Sequence, residues 1–345
     1  MNNLRKNQKG MISITTTVVL MIVITITVLS FAQIVRREQR QALDNQLSDQ
    51  AFYAAESGIN QARKYIFDTW VTNGLIPPDK TDCKSNTDYP ATALPTDISA
   101  DGTSFSCLLV NGSPQSLKYD LSPTAASKVF QLNANGTSIK TIDVAWTPST
   151  NSAPRTGCPA TTTAVTQLPS ATGWTCNGYG ILRLDLVPVD TMSRNGFMRD
   201  MFTAFISPAN ITGTRTVSYL GTGTNINGGL ANQGARPVAS CDDSTCKITI
   251  NNLSATRYYA RISTMYRQSS VTFAPKDALG NPVGLIGAQL MLDATGRAQD
   301  VLRRVQVRVP LEYDGFHPDY GIESTDSMCK LFTTFPGYGN GSTCL

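Results

Sequence analysis

Eight cysteines, one histidine and a few short groups of carboxylates and arginines are the side chains of this 345-residue sequence whose spacing could do chemistry. The cysteines are Cys83, Cys107, Cys158, Cys176, Cys241, Cys246, Cys329 and Cys344. Tetrahedral zinc wants close pairs of thiolates or imidazoles, but there is no CxxC, and His317 is the single histidine. An even set of cysteines that starts only at Cys83 reads instead as disulfides made in an oxidising compartment. Nearest neighbours are expected to pair: Cys83–Cys107, Cys158–Cys176, Cys241–Cys246 and Cys329–Cys344. The remaining patterns argue against catalysis. GTGTNINGG, from Gly221, has the glycines of a phosphate loop, yet no Gly-Lys-Ser/Thr follows and no helical pattern opens there. Asp242, Asp243 and the Asp293–Asp300 stretch carry carboxylates without EF-hand spacing. His317 lies in no nucleophile context. Arg303, Arg304 and Arg308 are the densest basic cluster; they read as a solvated strand face or as a contact for phosphates. The expectation is a non-enzymatic chain with no cofactor and no metal.

Charge says little about partners. The net charge of +4 is concentrated at one end, in Arg5, Lys6 and Lys9. Without those three, 26 of the 29 basic residues remain against 25 acidic ones, which gives no global case for nucleic acid. Only 16% of residues are charged, and Ser, Thr, Asn and Gly abound, a mix that suits an extracytoplasmic β-rich surface.

The elements that would carry these residues begin with a long helix. Met11 to Val35 runs 25 residues without a charge. As a helix this is about 37 Å, enough to cross a hydrocarbon core of roughly 30 Å. Val, Ile and Thr are poor helix formers in water, but in lipid the backbone must satisfy itself, and Thr and Ser hydroxyls can bond carbonyls one turn back. The run is too long for a secretory h-region, and no small-x-small cleavage pattern follows. It is therefore expected to span the membrane, with the cysteine-bearing part outside. Leu43, Leu47, Ala51, Ala55, Gly58, Ala62 and Ile66 then continue at helical spacing, with no proline before Pro77. Ala51, Ala55, Gly58 and Ala62 fall within a sector of roughly 60°, bordered by Phe52 and Ile59, with Glu56 pointing elsewhere. A stripe this small lets another backbone approach closely. Asn73-Gly74 and Pro77-Pro78 end the helix.

The leader MNNLRKNQKG, the apolar segment that follows at once and the unbroken helix beyond it resemble the class III signal of type IV pilins. The stretch QAFYAAESGINQAR, Gln50 to Arg63, resembles the helical box of PilX-type N-terminal domains, found in minor pilins. The resemblance covers roughly residues 5–66. It implies cleavage between Gly10 and Met11 by a prepilin peptidase, methylation of the new N-terminus, and packing of the helix among other pilin subunits. The small stripe would then meet neighbouring helices or the subunit's own sheet. Pilins usually carry glutamate at the fifth mature position, where it pairs with a neighbour's terminal amine; here that position is Thr15. The departure points away from a repeating shaft subunit and toward a minor, tip or priming one. Type II pseudopilins of the K type share it.

Beyond residue 75 the texture changes to short alternating runs. Ile181–Val187, Arg257–Arg267, Ser270–Pro275, Ile286–Asp293 and Gln299–Pro310 read as strands of an antiparallel sheet. Asp293-Ala294-Thr295-Gly296 reads as a turn, and residues 75–175 as an irregular, stapled insertion. Gly221–Pro237 and the tail after Pro310 read as exposed loops. The expected fold is α+β: a leader (1–10), a transmembrane helix (11–35), its amphipathic continuation (36–74) packed on an antiparallel sheet, and a disulfide-stapled β-rich ectodomain (75–345) with a possible boundary near 175. The functional expectation is a minor pilin-like subunit, in the cytoplasmic membrane as a precursor and at the cell surface when assembled. A type II pseudopilin and a single-pass anchored adhesin are the alternatives, and an exported enzyme is the remote one.

Overall fold

The computed structural model describes residues 8–84, 87–89, 102–124, 127–148, 157–160, 170–176, 178–189, 200–219, 225–226, 229–230, 236–242 and 244–311. Cys329, Cys344, His317, Asp243 and most of the Gly221–Pro237 loop lie outside the described residues. The same holds for the tail after Leu311 and for the side chain of Met11.

One helix, α1, runs from Gln8 to Ile66 over 59 residues and ends in a wider π turn at Phe67–Val71. The strands follow. They begin with β1 (Thr103–Asn111), β2 (Leu117–Leu121), β3 (Lys128–Asn133) and β4 (Thr141–Pro148). Then come β5 (Ile181–Pro188), β6 (Phe202–Ala209), β7 (Thr216–Ser218), β8 (Asn225–Ile226) and β9 (Gly229–Leu230). The last six are β10 (Val238–Cys241), β11 (Cys246–Asn251), β12 (Arg257–Met265), β13 (Ser269–Lys276), β14 (Gln289–Ala298) and β15 (Val301–Pro310). The protein is thus a long N-terminal apolar helix joined to a β-rich body stapled by disulfides. Four strands lie where the sequence reads as irregular, because polar residues interrupt the alternation in TSFSCLLVN and its neighbours.

Two compact units divide the chain, and they cut it at Pro114 and Ala288 rather than near 175. The first joins the helix and β1 to the late strands β14 and β15, in the order β1-β14-β15, all antiparallel. The reason is topological: β14 returns after the long insertion Gln115–Ala288 to pair with β1, so residues far apart in sequence complete one sheet. The Cys83–Cys107 disulfide ties the segment after the helix to β1. The expected turn at Asp293–Gly296 is not a turn. The strand runs through it, and the chain reverses at Gln299, which adopts φ 54°.

The second unit holds the order β2-β13-β4-β11-β10-β6-β5-β12-β3, with β7 beside β11. Pairing is antiparallel except at β10–β6 and β11–β7. Three of the expected strands, now β5, β12 and β13, belong here and not to the sheet under the helix. Their apolar faces are used up on one another. β13 alternates buried and half-buried residues along its whole length, whereas β5 and β6 are buried on both faces. Tyr119 of β2 stacks on Phe130 of β3 at 4.3 Å, so the two end strands of the sheet meet. Trp146, Phe130, Phe202, Tyr258 and Phe273 fill the space inside, each at most 1% exposed. Burial of that many aromatic side chains, at about 1.5–3 kcal/mol each, gives the unit a core of its own.

Two further pairs of neighbouring cysteines are joined here, Cys158–Cys176 and Cys241–Cys246. The second closes a hairpin in which Cys241 and Cys246 are direct cross-strand partners. Asp242, a candidate metal ligand by sequence, turns its Oδ1 inward. That atom accepts from the Ser244 and Thr245 backbone N–H groups at 2.8 and 2.7 Å and from the Ser244 hydroxyl at 2.9 Å. The Ser244 amide bond chiefly holds this carboxyl below its ordinary pKa, with partial burial opposing it. A depressed carboxylate pKa contributes stability that is present above the ordinary value near 4 and is lost as pH falls through the folded value. Asp242→Asn is expected to flatten the acid-side loss of stability below about pH 4 while leaving the neutral-pH profile flat, as read from denaturation midpoints across pH.

Candidate functional site

The free part of α1 is an apolar rod. From Ile14 to Gln46 every residue is exposed, and the apolar window within it has a mean hydropathy of 2.6, long and greasy enough to cross a membrane. Thr and Ser hydroxyls on this stretch bond back within the helix: Thr25 to the Met21 carbonyl at 2.7 Å, Thr27 to Ile24 at 2.8 Å, and Ser30 to Ile26 at 2.8 Å. With their hydroxyls satisfied on their own turn, these side chains add little polar surface to the rod. Thr15 lies on this rod, and so do Gly10 and Met11 by backbone position.

Past Gln46 the helix meets its sheet. Ala51, Ala55 and Ala62 are completely buried, and Gly58 is buried with them, beneath β1 and β14. The fit is a matter of backbone distance. A Cβ added at Gly296 of β14 would stand 1.9 Å from the Ala51 carbonyl oxygen and 2.5 Å from the Ala55 nitrogen. One added at Gly58 would meet the Phe105 ring at 2.8 Å. Only glycine fits these two points. Around them Ile59, Ile66, Phe105, Leu108, Val110, Leu290, Leu292 and Val309 close a second core. Tyr89 caps it, its hydroxyl donating to the Pro78 carbonyl at 2.9 Å, while the Tyr65 hydroxyl donates to the Asp88 carbonyl at 3.0 Å. Burial pushes the Tyr89 hydroxyl well above its ordinary pKa, so it stays a neutral donor.

The register assigns the arginines to two faces. Arg303 pairs with Gly296 and lies on the helix side, where its Nε donates to the Ser48 hydroxyl at 2.7 Å. Arg304 lies on the opposite face and grips the buried Asp293 carboxylate, its Nε donating at 2.7 and 2.8 Å and its terminal amine adding a third contact. This occupies the carboxylate that a calcium reading would have needed. The three-arginine cluster is therefore not one patch: Arg303 clamps the helix, Arg304 neutralises Asp293, and Arg308 is half-buried.

Of the residues expected to form a packing face, the structure brings Ala51, Ala55, Gly58 and Ala62 together, against the chain's own sheet. Phe52 and Glu56 are exposed on the other side of the helix. There Phe52 and Tyr53 form an edge-on ring pair at 5.8 Å. Thr15, expected to share the packing role, stands 36 residues before Ala51, about 54 Å along the axis, so the structure does not bring it together with the small stripe. The close crossing at Gly296, the contact of Phe105, the bond of Arg303 to Ser48 and the pairing of Asp293 with Arg304 escape a reading of the sequence. The one available signal was the glycine inside DATG, which turn chemistry claims first. Among the described residues, no group of three or more His, Cys, Asp or Glu is placed to hold a metal ion.

No family model, no curated protein and no solved structure matches this chain.

Adding a methyl group at Gly296 must push two backbones apart. Gly296→Ala is expected to destabilise the first unit by about 3 kcal/mol or more, the upper range for overpacking, whereas Phe52→Ala on the exposed face stays within about 0.5 kcal/mol. Urea titrations of the two variants, followed by the loss of helix signal, measure the contrast.

Proposed function

We propose that this chain is a minor, non-catalytic subunit of a type IV pilus, acting at the tip or in priming and matured by a prepilin peptidase after Gly10. Its N-terminal helix would be both the membrane anchor of the precursor and the element that joins other pilin subunits. The observation that carries this reading is the division of one unbroken helix, Gln8–Ile66, into an exposed apolar rod and a part locked on its own sheet. A rod so rich in Val, Ile and Thr needs an apolar surround, which a bilayer supplies before assembly and a bundle of like helices supplies after it. The leader MNNLRKNQKG and the box QAFYAAESGINQAR add the resemblance to minor pilins. Thr15 offers no charge for a neighbour's terminal amine, which suits a position used once rather than repeated along a shaft. A type II pseudopilus is the sister assembly with the same requirements.

A single-pass anchored surface protein is the second reading, and one observation favours it. The small stripe is already covered within the chain, so it needs no neighbouring helix. The two readings part at residue 10. Gly10→Glu places a large anion where a peptidase would cut. For a pilin subunit, native-cell protein should begin at Met11 by intact mass, and the variant should keep its leader, stay in the membrane and vanish from sheared filaments. Wild-type protein that retains Met1–Gly10 in those cells would remove the pilin reading and leave the anchor.

A further inference from the structure

In the second unit, a cavity of about 560 Å³ lies on the outer face of β4 and β11, beneath the segment that joins β6 to β7. That segment is pinned at both ends: the Ser240 hydroxyl donates to the Ile211 carbonyl at 2.7 Å, and the Thr249 N–H to the Arg215 carbonyl at 2.9 Å. The wall is therefore built before any ligand arrives, which lowers the entropic cost of binding. Its volume lies in the range of small-molecule sites.

Four charged side chains line it: Asp143, Arg215, Asp242 and Lys247. With Lys276 beside Asp143 they leave one net positive charge. The Asp143 carboxylate is taken by Lys276 Nζ at 2.7 Å and by the Thr249 hydroxyl at 2.6 Å. Asp242 spends Oδ1 on its own turn. Among the described residues, Arg215 has no hydrogen bond or ion pair through its side chain, and Lys247 senses Asp242 only as a nearby charge. Arg215 and Lys247 are thus open to an anion, Lys247 also facing the Asp242 charge. Around them the exposed hydroxyls of Thr212 and Thr214, and the second oxygen of Asp242, offer donors and an acceptor for hydroxyl groups.

We propose that this cavity binds a small hydroxylated anion of the sugar-acid class, its carboxylate held by Arg215 and Lys247 and its hydroxyls by Thr212, Thr214 and Asp242. Arg215 supplies the planar fork that matches a carboxylate, and Lys247 a mobile point charge beside it. A polyanion fits poorly. Asp143 and Asp242 flank the cations and would repel a run of phosphates, and a nucleic-acid surface needs a continuous basic stripe. The site lies wholly in the second unit and does not depend on whether the leader is cleaved.

The test uses the full chain in detergent and titrates glucuronate, glucose and inorganic sulfate by calorimetry at constant ionic strength. Glucuronate should bind at least about tenfold more tightly than either of the others, one factor of ten being about 1.4 kcal/mol. Lys247→Gln, a change at an exposed strand position, should weaken glucuronate about tenfold, and Arg215→Gln with Lys247→Gln should abolish it while the far-ultraviolet spectrum stays unchanged. Absence of glucuronate binding, undiminished binding by the Lys247 variant, or sulfate binding as tightly as glucuronate would each overturn the proposal. So would a short single-stranded oligonucleotide that binds this cavity in preference to the sugar acid.

Discussion

The approach of two backbones at Gly296 is the constraint on which the first unit depends. A helix normally lies about 10 Å from the sheet it covers, with side chains filling the gap. Here the Ala51 carbonyl and the Ala55 nitrogen come close enough to β14 that no Cβ fits between. Everything nearby follows from that. The helix must show alanine and glycine at four-residue and three-residue steps, the strand must show glycine at the crossing, and larger residues such as Ile59, Phe105 and Leu292 must lie to either side. Van der Waals packing falls off steeply with distance, so a close crossing of small residues is stiff where one cushioned by flexible side chains is soft. Arg303 adds a polar clamp on the same side by donating to Ser48.

That stiffness gives the free part of the helix its meaning. From Ile14 to Gln46 nothing in the chain's described residues covers it, a length of about 50 Å at 1.5 Å per residue. Such a segment has low intrinsic helicity in water, since β-branched residues lose rotamer freedom in a helix. It gains order from its surroundings at one end and from the seat at the other. The two units divide the labour: one grips the rod, while the other has an aromatic core and two disulfides of its own.

Much of this is legible in the residues, and the parts that are not have a common cause. Helical spacing from Leu43 to Ile66 and the uncharged run from Met11 to Val35 specify a single long helix, because both are local patterns. The three described disulfides join sequence neighbours, the case in which spacing alone suffices. Which sheet covers the helix is a long-range fact. β1 pairs with β14 across nearly two hundred residues, and no periodicity reports such a pairing. The Asp293–Gly296 stretch misleads because its composition is that of a turn, while tertiary context uses its glycine for a close crossing and its aspartate for Arg304. The alternation of Val305, Val307 and Val309 gives their common face correctly, yet burial along it is uneven: Val309 is buried while Val307 is 37% exposed.

Amide hydrogen exchange along α1, in the full chain held in detergent, tests the central claim most directly. A seat made by close backbone packing predicts strong protection from Leu47 to Ile66 and fast exchange in the polar stretch from Arg36 to Gln46. The detergent-covered span before Arg36 should again be protected. Exchange from Leu47 to Ile66 as fast as from Arg36 to Gln46 would contradict the account, because the small stripe would then not be held by the sheet.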